Sequence, residues 1–484
     1  MTSDRRTFLG ASLLGASLGI ATAVASRANG LTASARAESA ARPSLSGDLS
    51  CDLSIRAEAA GDFGRLIHRQ PRAVARPASS ADIASLLRRA KSRGLKVAAR
   101  GQGHSIYGRS LSEDGVVIDM SGIDTIHHVQ PRHVVVDAGA TWKNVLDATL
   151  KQGLTPPVLT NYLGLSIGGT LAVSGIGGSS SRYGMQTDNV LELDVVTGDG
   201  KELTCSATSN PDIFAGVLAG LGQCAIITRA TLGLVLAPER VRRFQLFYPS
   251  LSALTADQRR ALTEQRFDQL QGAILPDPSG GWRYQLEGAV FYNQDRIPEN
   301  EALLTGLSDI RNAAVISDLT YRDDALAFAK FENLLRSSGQ WSTPKPWLLT
   351  FLRGNNAEQT AAEILAGLTN ADVGPFGRIT YYPILTNACR TPLLRLPDEE
   401  VVFPFNVIRI PTSNDAPAMQ GMVEQNRALY HRIRSAGGIQ YPVGAFPMSR
   451  SDWKDHFGSS WTRLADAKRR HDPGNLLTPG YGIF

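Results

Sequence analysis

ARGQGHSIYGRS (residues 99–110) places one histidine, His104, among small and polar residues, with Gly101, Gly103 and Gly108 around it. Glycines let a backbone turn tightly or come close to a ligand. A second glycine-rich stretch, TNYLGLSIGGTLAVSGIGGSSSRYG (160–184), follows after a strand and a helix. Two such clusters suggest a long, phosphate-bearing ligand held by backbone N–H groups. Tight turns alone would also use glycines, so the context has to decide.

The flanking segments read clearly. In SSADIASLLRRAKSRGLKVAARGQGHS, Ser79 with Asp82 predicts a capping box, Ile83, Leu86 and Leu87 predict a helix, and Gly94 ends it. KVAAR is then a short strand leading into the His104 loop. HVVVDAGATWKNVLDATLKQGL predicts a strand and an amphipathic helix through Val145, Leu146 and Leu150. NVLELDVVTGDGKELTC predicts two strands about an Asp-Gly turn, and GVLAGLGQCAIITRATLGLVL a glycine turn and a long strand. There is no GxxxxGK[ST]. Neither cluster follows an N-terminal strand and opens a helix with an acidic residue about 20 positions on, so the P-loop and Rossmann readings fail.

After about residue 240 the glycine loops thin out. LTADQRRALTEQRFDQLQGAIL reads as helix, and WRYQLEGAVFYN and EVVFPFNVIRI as strands, which predicts a second α+β domain. The protein's 484 residues are 43% hydrophobic and carry a net charge of +5 with scattered Lys and Arg, which argues against a nucleic-acid partner. Arg5 and Arg6 stand directly before a weakly apolar, Gly- and Ala-rich run, the pattern of a twin-arginine export signal cleaved near Ala35 or Ala37; an uncleaved anchor is the alternative. A periplasmic or secreted protein without a stable membrane anchor is expected. Cys51, Cys205, Cys224 and Cys389 show no CxxC spacing and read as buried or free thiols. No metal site is expected, since His127 and His128 would point to opposite faces of a strand.

Taken together, the stretches resemble the cytokinin dehydrogenases, flavoproteins of the vanillyl-alcohol-oxidase type. GQGHS matches that family's GxGHS loop, and TNYLGLSIGGTLAVSGIGG its TDYLxLxxGGTLSxxGxxG. NVLELDVVTGDGKELTCS, GLGQCAIITRA, YQLEGAVFY, PKPWLL, LPDEEVVF and DPGNLLTPGYGIF also have counterparts, so the likeness spans nearly the whole sequence after the leader. The resemblance implies an α+β, two-domain flavoprotein. Residues 1–45 would be signal and linker, 46–240 a PCMH-type FAD-binding domain, 241–428 the substrate domain, and 429–484 a segment completing the first domain.

It also implies site residues. His104 aligns with the histidine that the family links covalently to the 8α carbon of FAD, and a neutral imidazole can attack the electrophilic tautomer of that methyl group. Relatives with a second link have a cysteine where this protein has Leu171, so one link is expected. The cofactor-binding set would be Gly101, Gln102, Gly103, Ser105, Tyr162, Ser166, Gly168, Gly169, Thr170, Gly175, Gly177, Gly178, Ile226, Ile227, Tyr441, Thr478 and Tyr481. Thr478 and Tyr481 replace the usual Ser and Gln.

The expected chemistry is FAD-dependent oxidation of an N6-substituted adenine, at the bond between N6 and the first carbon of its substituent, by hydride transfer to flavin N5. Oxygen or a quinone would then take the electrons. Glu287 in YQLEGAVFY matches a family glutamate that helps position the adenine. The family aspartate that accepts the substrate N–H is replaced by Asn161, whose carbonyl accepts a hydrogen bond but takes no proton. Two readings follow: a cytokinin-like substrate oxidised with a neutral acceptor, or a changed substrate such as another amine, an alcohol or a sugar. A secreted purine-binding flavoprotein with little turnover is a third.

Overall fold

The computed structural model describes residues 46–484. The twin-arginine stretch and its cleavage region lie outside the described residues.

The N-terminal half builds two sheets around one core. The first has Asp48–Ser50 antiparallel to Ala73–Arg76, then Val116–Asp119 and Val97–Arg100 in parallel. The second is antiparallel, in the order Ile126–Gln130, His133–Asp137, Ala225–Gly233, Val190–Thr197, Glu202–Ser206. The helix Ser80–Ser92 buries Ile83, Leu86 and Leu87 in the core that both sheets share with Val145 and Leu146. The Ser79 hydroxyl accepts from the Asp82 amide at 3.2 Å, as expected, and Gly94 at φ +64° stops the helix. The return half of the capping box is redirected. Asp82 accepts instead from the amides of Ser46, Gly47 and Ala78, so it ties down the segment entering the domain.

The second half is dominated by a nine-stranded antiparallel sheet that includes Arg240–Tyr248, Gln269–Pro276, Trp282–Tyr292, Val315–Thr320, Leu348–Arg353, Arg378–Tyr381 and Val401–Ile408. The helix expected to run through LQGAIL stops at Thr263. Gln265 takes φ +51°, and Gln269–Pro276 pairs as a strand, with Leu270 and Ile274 alternating onto the core face. Pairing wins over the helical reading because strands on both sides supply hydrogen-bonding edges, and the segment is buried on both faces from Leu270 to Ile274.

One face of this sheet is apolar, with Phe244, Leu246, Leu286, Phe403 and Phe405 packed under helices such as Leu251–Thr263 and Ala416–Ser435. Ile439–Gln440 still pairs with Leu348–Arg353, so the large sheet runs past residue 428. The backbone then returns to the first domain. Leu477 bridges Val97, and Gly480 packs so closely on the carbonyls of Gly108 and Arg109 that a Cβ would lie 2.2 Å and 2.6 Å from them.

Candidate active site

The glycine loops meet. A Cβ on Gly101 would lie 1.9 Å from the Ser166 hydroxyl, and one on Gly169 would lie 2.8 Å from it. Close approach, rather than turn geometry, therefore favours glycine at Gly101, where a Cβ would also meet the Ser166 Cβ at 2.9 Å; at Gly169 the Ser166 hydroxyl is its one near contact among the described residues. The loops line a cavity of about 1090 Å³, more than one drug-sized ligand needs. It continues to the second face of the large sheet.

That face is polar. Gln245, Glu287 and Gln271 are Cα partners across three adjacent strands, so their side chains share a face. All three line the cavity, together with Arg243, Gln269, Arg378, Thr380 and Asn406. A sheet with one face under helices and the other lined with amides and charges is built to hold a polar ligand.

Of the residues expected at the site, all but Gly177 line this cavity. The Gly177 amide donates to the Ser180 hydroxyl at 3.0 Å, and a Cβ there would strike the Leu159 carbonyl at 2.2 Å. It is a packing glycine behind the wall. Thr170 reaches the wall, but its hydroxyl accepts from the Trp142 indole at 2.8 Å and donates to Ile167 O at 3.2 Å. The Thr478 hydroxyl is likewise occupied, donating to Gly222 O at 2.7 Å. Tyr441 accepts from the Gly175 amide at 3.2 Å, which fixes the second glycine cluster against the C-terminal segment.

His104 is stacked on Phe63, with ring centroids 4.0 Å apart and planes inclined by 15°, and Tyr162 lies 5.1 Å away on a tilt. Burial, with the Lys345 ammonium in addition, pushes its imidazole down to about 3, so the ring is neutral. The brace around it comes from GDFG (61–64), which no local pattern in the sequence singles out. Phe63 N–H donates to Gly103 O at 2.8 Å and Gly64 N–H to Ser105 O at 3.1 Å. Asp62 accepts from the Ser105 hydroxyl and the Gly108 amide, each at 2.7 Å. Lys345, from the PKPWLL segment, is fully buried; burial foremost, with Arg65 adding, pushes it down to about 8. Its ammonium caps the carbonyls of Gln340, Trp341 and Thr343 and lies 5.1 Å from the Phe63 ring.

The cavity's two carboxylates are both held by arginines. Glu287 accepts from Arg378 at 2.5 Å, while Asp324 is held in a two-pronged pair by Arg243, which also reaches Gln269 at 3.0 Å. Neither arginine is visible as a partner in the sequence, because each comes from a different strand or helix and only the register brings them together. Asn161 stands exposed on the wall beside Tyr162. Among the described residues, no group of three or more His, Cys, Asp or Glu could hold a metal. His127 Nε2 pairs with the Asp137 carboxylate at 2.6 Å, which also accepts from Arg229 at 3.2 Å.

Abutting glycine loops, a neutral histidine at their edge and a long cavity fit a flavin dinucleotide, whose diphosphate the loops Gly101–Ser105 and Ser166–Gly178 would hold. Fold and cavity together define a two-domain FAD-dependent oxidoreductase. Comparison with known proteins agrees. The family model described as "FAD binding domain" matches residues 71–206, and that described as "Cytokinin dehydrogenase 1, FAD and cytokinin binding" matches residues 273–484. The uncharacterized oxidoreductase ORF5 in the fasciation locus of Rhodococcoides fascians is 42% identical, over 87% of this sequence and 96% of that protein. Cytokinin dehydrogenase 10 of Oryza sativa subsp. japonica is 35% identical over 90% of this sequence and 88% of its own. For cytokinin dehydrogenase 2 of Arabidopsis thaliana the figures are 33%, 91% and 94%. The protein belongs to the cytokinin dehydrogenase family of PCMH-type FAD oxidoreductases.

Proposed function

We propose that the protein oxidises an N6-substituted adenine at the bond between N6 and its substituent, yielding adenine and an aldehyde once the imine is hydrolysed. The observation that carries this reading is the continuity of the cavity from the His104 loop to the polar row Gln245–Glu287–Gln271. A planar base with several ring nitrogens matches that row of alternating donors and acceptors. When bound, the flavin accepts the hydride; the protein's part is to align the C–H and manage the N–H proton.

Here the protein does something its sequence only half disclosed. With Glu287 and Asp324 both paired to arginines, no free carboxylate among the described residues lines the cavity to act as base. Asn161 would orient the amine through its carbonyl, and the proton would pass to water. The neutral His104, stacked on Phe63, would be the residue bonded to the 8α carbon. Export by the twin-arginine route, carrying a folded and loaded enzyme, belongs to the same proposal.

The absence of an unpaired carboxylate among the described lining residues also favours a second reading, a purine-binding flavoprotein with little turnover. Anaerobic mixing with isoprenoid adenines, other amines, alcohols and sugars separates the two. Bleaching of the flavin absorbance by an isoprenoid adenine alone supports the proposal. Bleaching by an alcohol or sugar, or by none, overturns it.

A further inference from the structure

Arg109 is only 6% exposed, yet it borders the cofactor cavity. Its guanidinium faces the rings of Tyr481, Tyr107 and Trp453 at 4.9, 5.3 and 5.5 Å. Among the described residues it has one protein hydrogen bond, Nη2 to Phe446 O at 3.3 Å, and its Nε is buried without a partner. No carboxylate lies within ion-pair distance of it among the described residues. Buried charges are normally paired, because an unpaired one costs several kcal/mol. Aromatic faces recover only part of that. The close packing of Gly480 on the Arg109 carbonyl holds the residue in place. A rigid, dry cation without its anion, at the edge of a flavin site, points to an anion that arrives with the cofactor.

We propose that Arg109 is the counter-charge for the reduced isoalloxazine and raises its reduction potential. The substrate carbon gives a hydride, two electrons and one proton, to the oxidised ring, and the substrate nitrogen releases its remaining proton to solvent. The ring was neutral and now bears one negative charge. A guanidinium in a low-dielectric wall stabilises that charge far more than water would. The diphosphate is the other anion the cofactor brings. Its place, however, is at the abutting glycine loops, whereas Arg109 stands with Tyr481 at the C-terminal edge. The inference rests on FAD binding in this cavity, and neither on the adenine substrate nor on the histidine bond.

The test uses the full flavin-loaded protein, with midpoint potential and the dissociation constant for sulfite, which adds to the flavin and leaves it anionic, as readouts. R109Q should weaken sulfite binding about tenfold and lower the two-electron midpoint by about 30 mV, the equivalent of that factor. R109K, which keeps the charge, should retain most of both. In the wild type the midpoint should fall by about 30 mV per pH unit from pH 5 to 8, the slope for two electrons and one proton. Unchanged potential and sulfite binding in loaded R109Q would overturn the idea. So would a wild-type slope steepening to about 59 mV per unit below neutrality, which means the reduced ring takes up a second proton. Poor flavin loading of R109Q with an unaltered potential in the loaded fraction would assign Arg109 to the diphosphate instead. If R109Q does not fold, R109K and the wild-type slope still decide. Because no substrate enters these measurements, failure of the adenine assignment leaves the result standing.

Discussion

Phe63 and His104 lie ring on ring, 4.0 Å between centroids, although 41 positions separate them in the sequence and neither bonds the other. The stack sets the plane of the imidazole, and the hydrogen bonds of residues 62–64 to the His104 loop set its height. Phe63→Leu keeps an apolar filler but loses the planar face. It should leave the fold intact and slow formation of an acid-stable flavin bond several-fold. His104→Ala should abolish that bond while leaving dissociable flavin, since the glycine loops remain. Flavin fluorescence of acid-precipitated protein against time measures both. An unchanged rate in Phe63→Leu would reduce the stack to packing.

Asp62 predicts a stability effect of a different kind. Its carboxylate takes the Gly108 amide and the Ser105 hydroxyl in a buried site. Asp62→Ala leaves that amide without a partner, at a cost of about 1–3 kcal/mol. Asp62→Asn keeps a carbonyl acceptor and should recover at least half. Urea denaturation of the two variants checks the order, and equal losses would contradict it.

His456 predicts acid sensitivity. Its ring is buried against Trp453 and Phe457, and its Nδ1 has no partner. Burial, then the nearby Arg395 and Arg434, pushes it from 6.5 down to about 3. Between those values the unfolded state binds the proton and the folded one does not. Stability should therefore fall as pH drops below about 6.5, by about 1.4 kcal/mol per unit from this group. His456→Phe removes no hydrogen bond at Nδ1 and should flatten that part of the profile. Melting temperatures from pH 7.5 to 4.5 give the comparison, and parallel profiles would show that other groups carry the acid loss.

What is legible in the sequence divides along physical lines. Helix Ser80–Ser92, the strands around Gly200 and the two glycine loops are local in origin, and capping residues, periodicity and turn chemistry expose them. The cavity wall is not local. Arg378 meets Glu287 because Gln269–Pro276, pairing both its neighbours, joins their strands in one sheet, and Arg243 meets Asp324 across 81 positions. No single-segment pattern carries such a register. The roles of Phe63, Lys345 and Arg109 are hidden for the same reason, since each acts through a neighbour supplied by a distant segment. Gly177 is the opposite case, a glycine in the right motif that serves backbone packing.

The departure at Asn161 yields the sharpest test. An amide on the cavity wall can hold the substrate N–H but cannot remove its proton, and the two carboxylates that could are bound to arginines. Asn161→Asp restores an acceptor that takes a proton, in nearly the same volume. General-base assistance is typically worth ~10²–10⁴-fold, so flavin reduction by N6-isopentenyladenine should accelerate by at least tenfold. Only the ionised carboxylate is a base, so the gain should be absent in acid and grow as pH rises through the carboxylate range, about 4, toward neutrality. Stopped-flow bleaching of wild type and variant from pH 4 to 8 measures it. If the wild type reduces slowly and the variant gains nothing at any pH, the pocket serves a different substrate, and the FAD assignment stands without it.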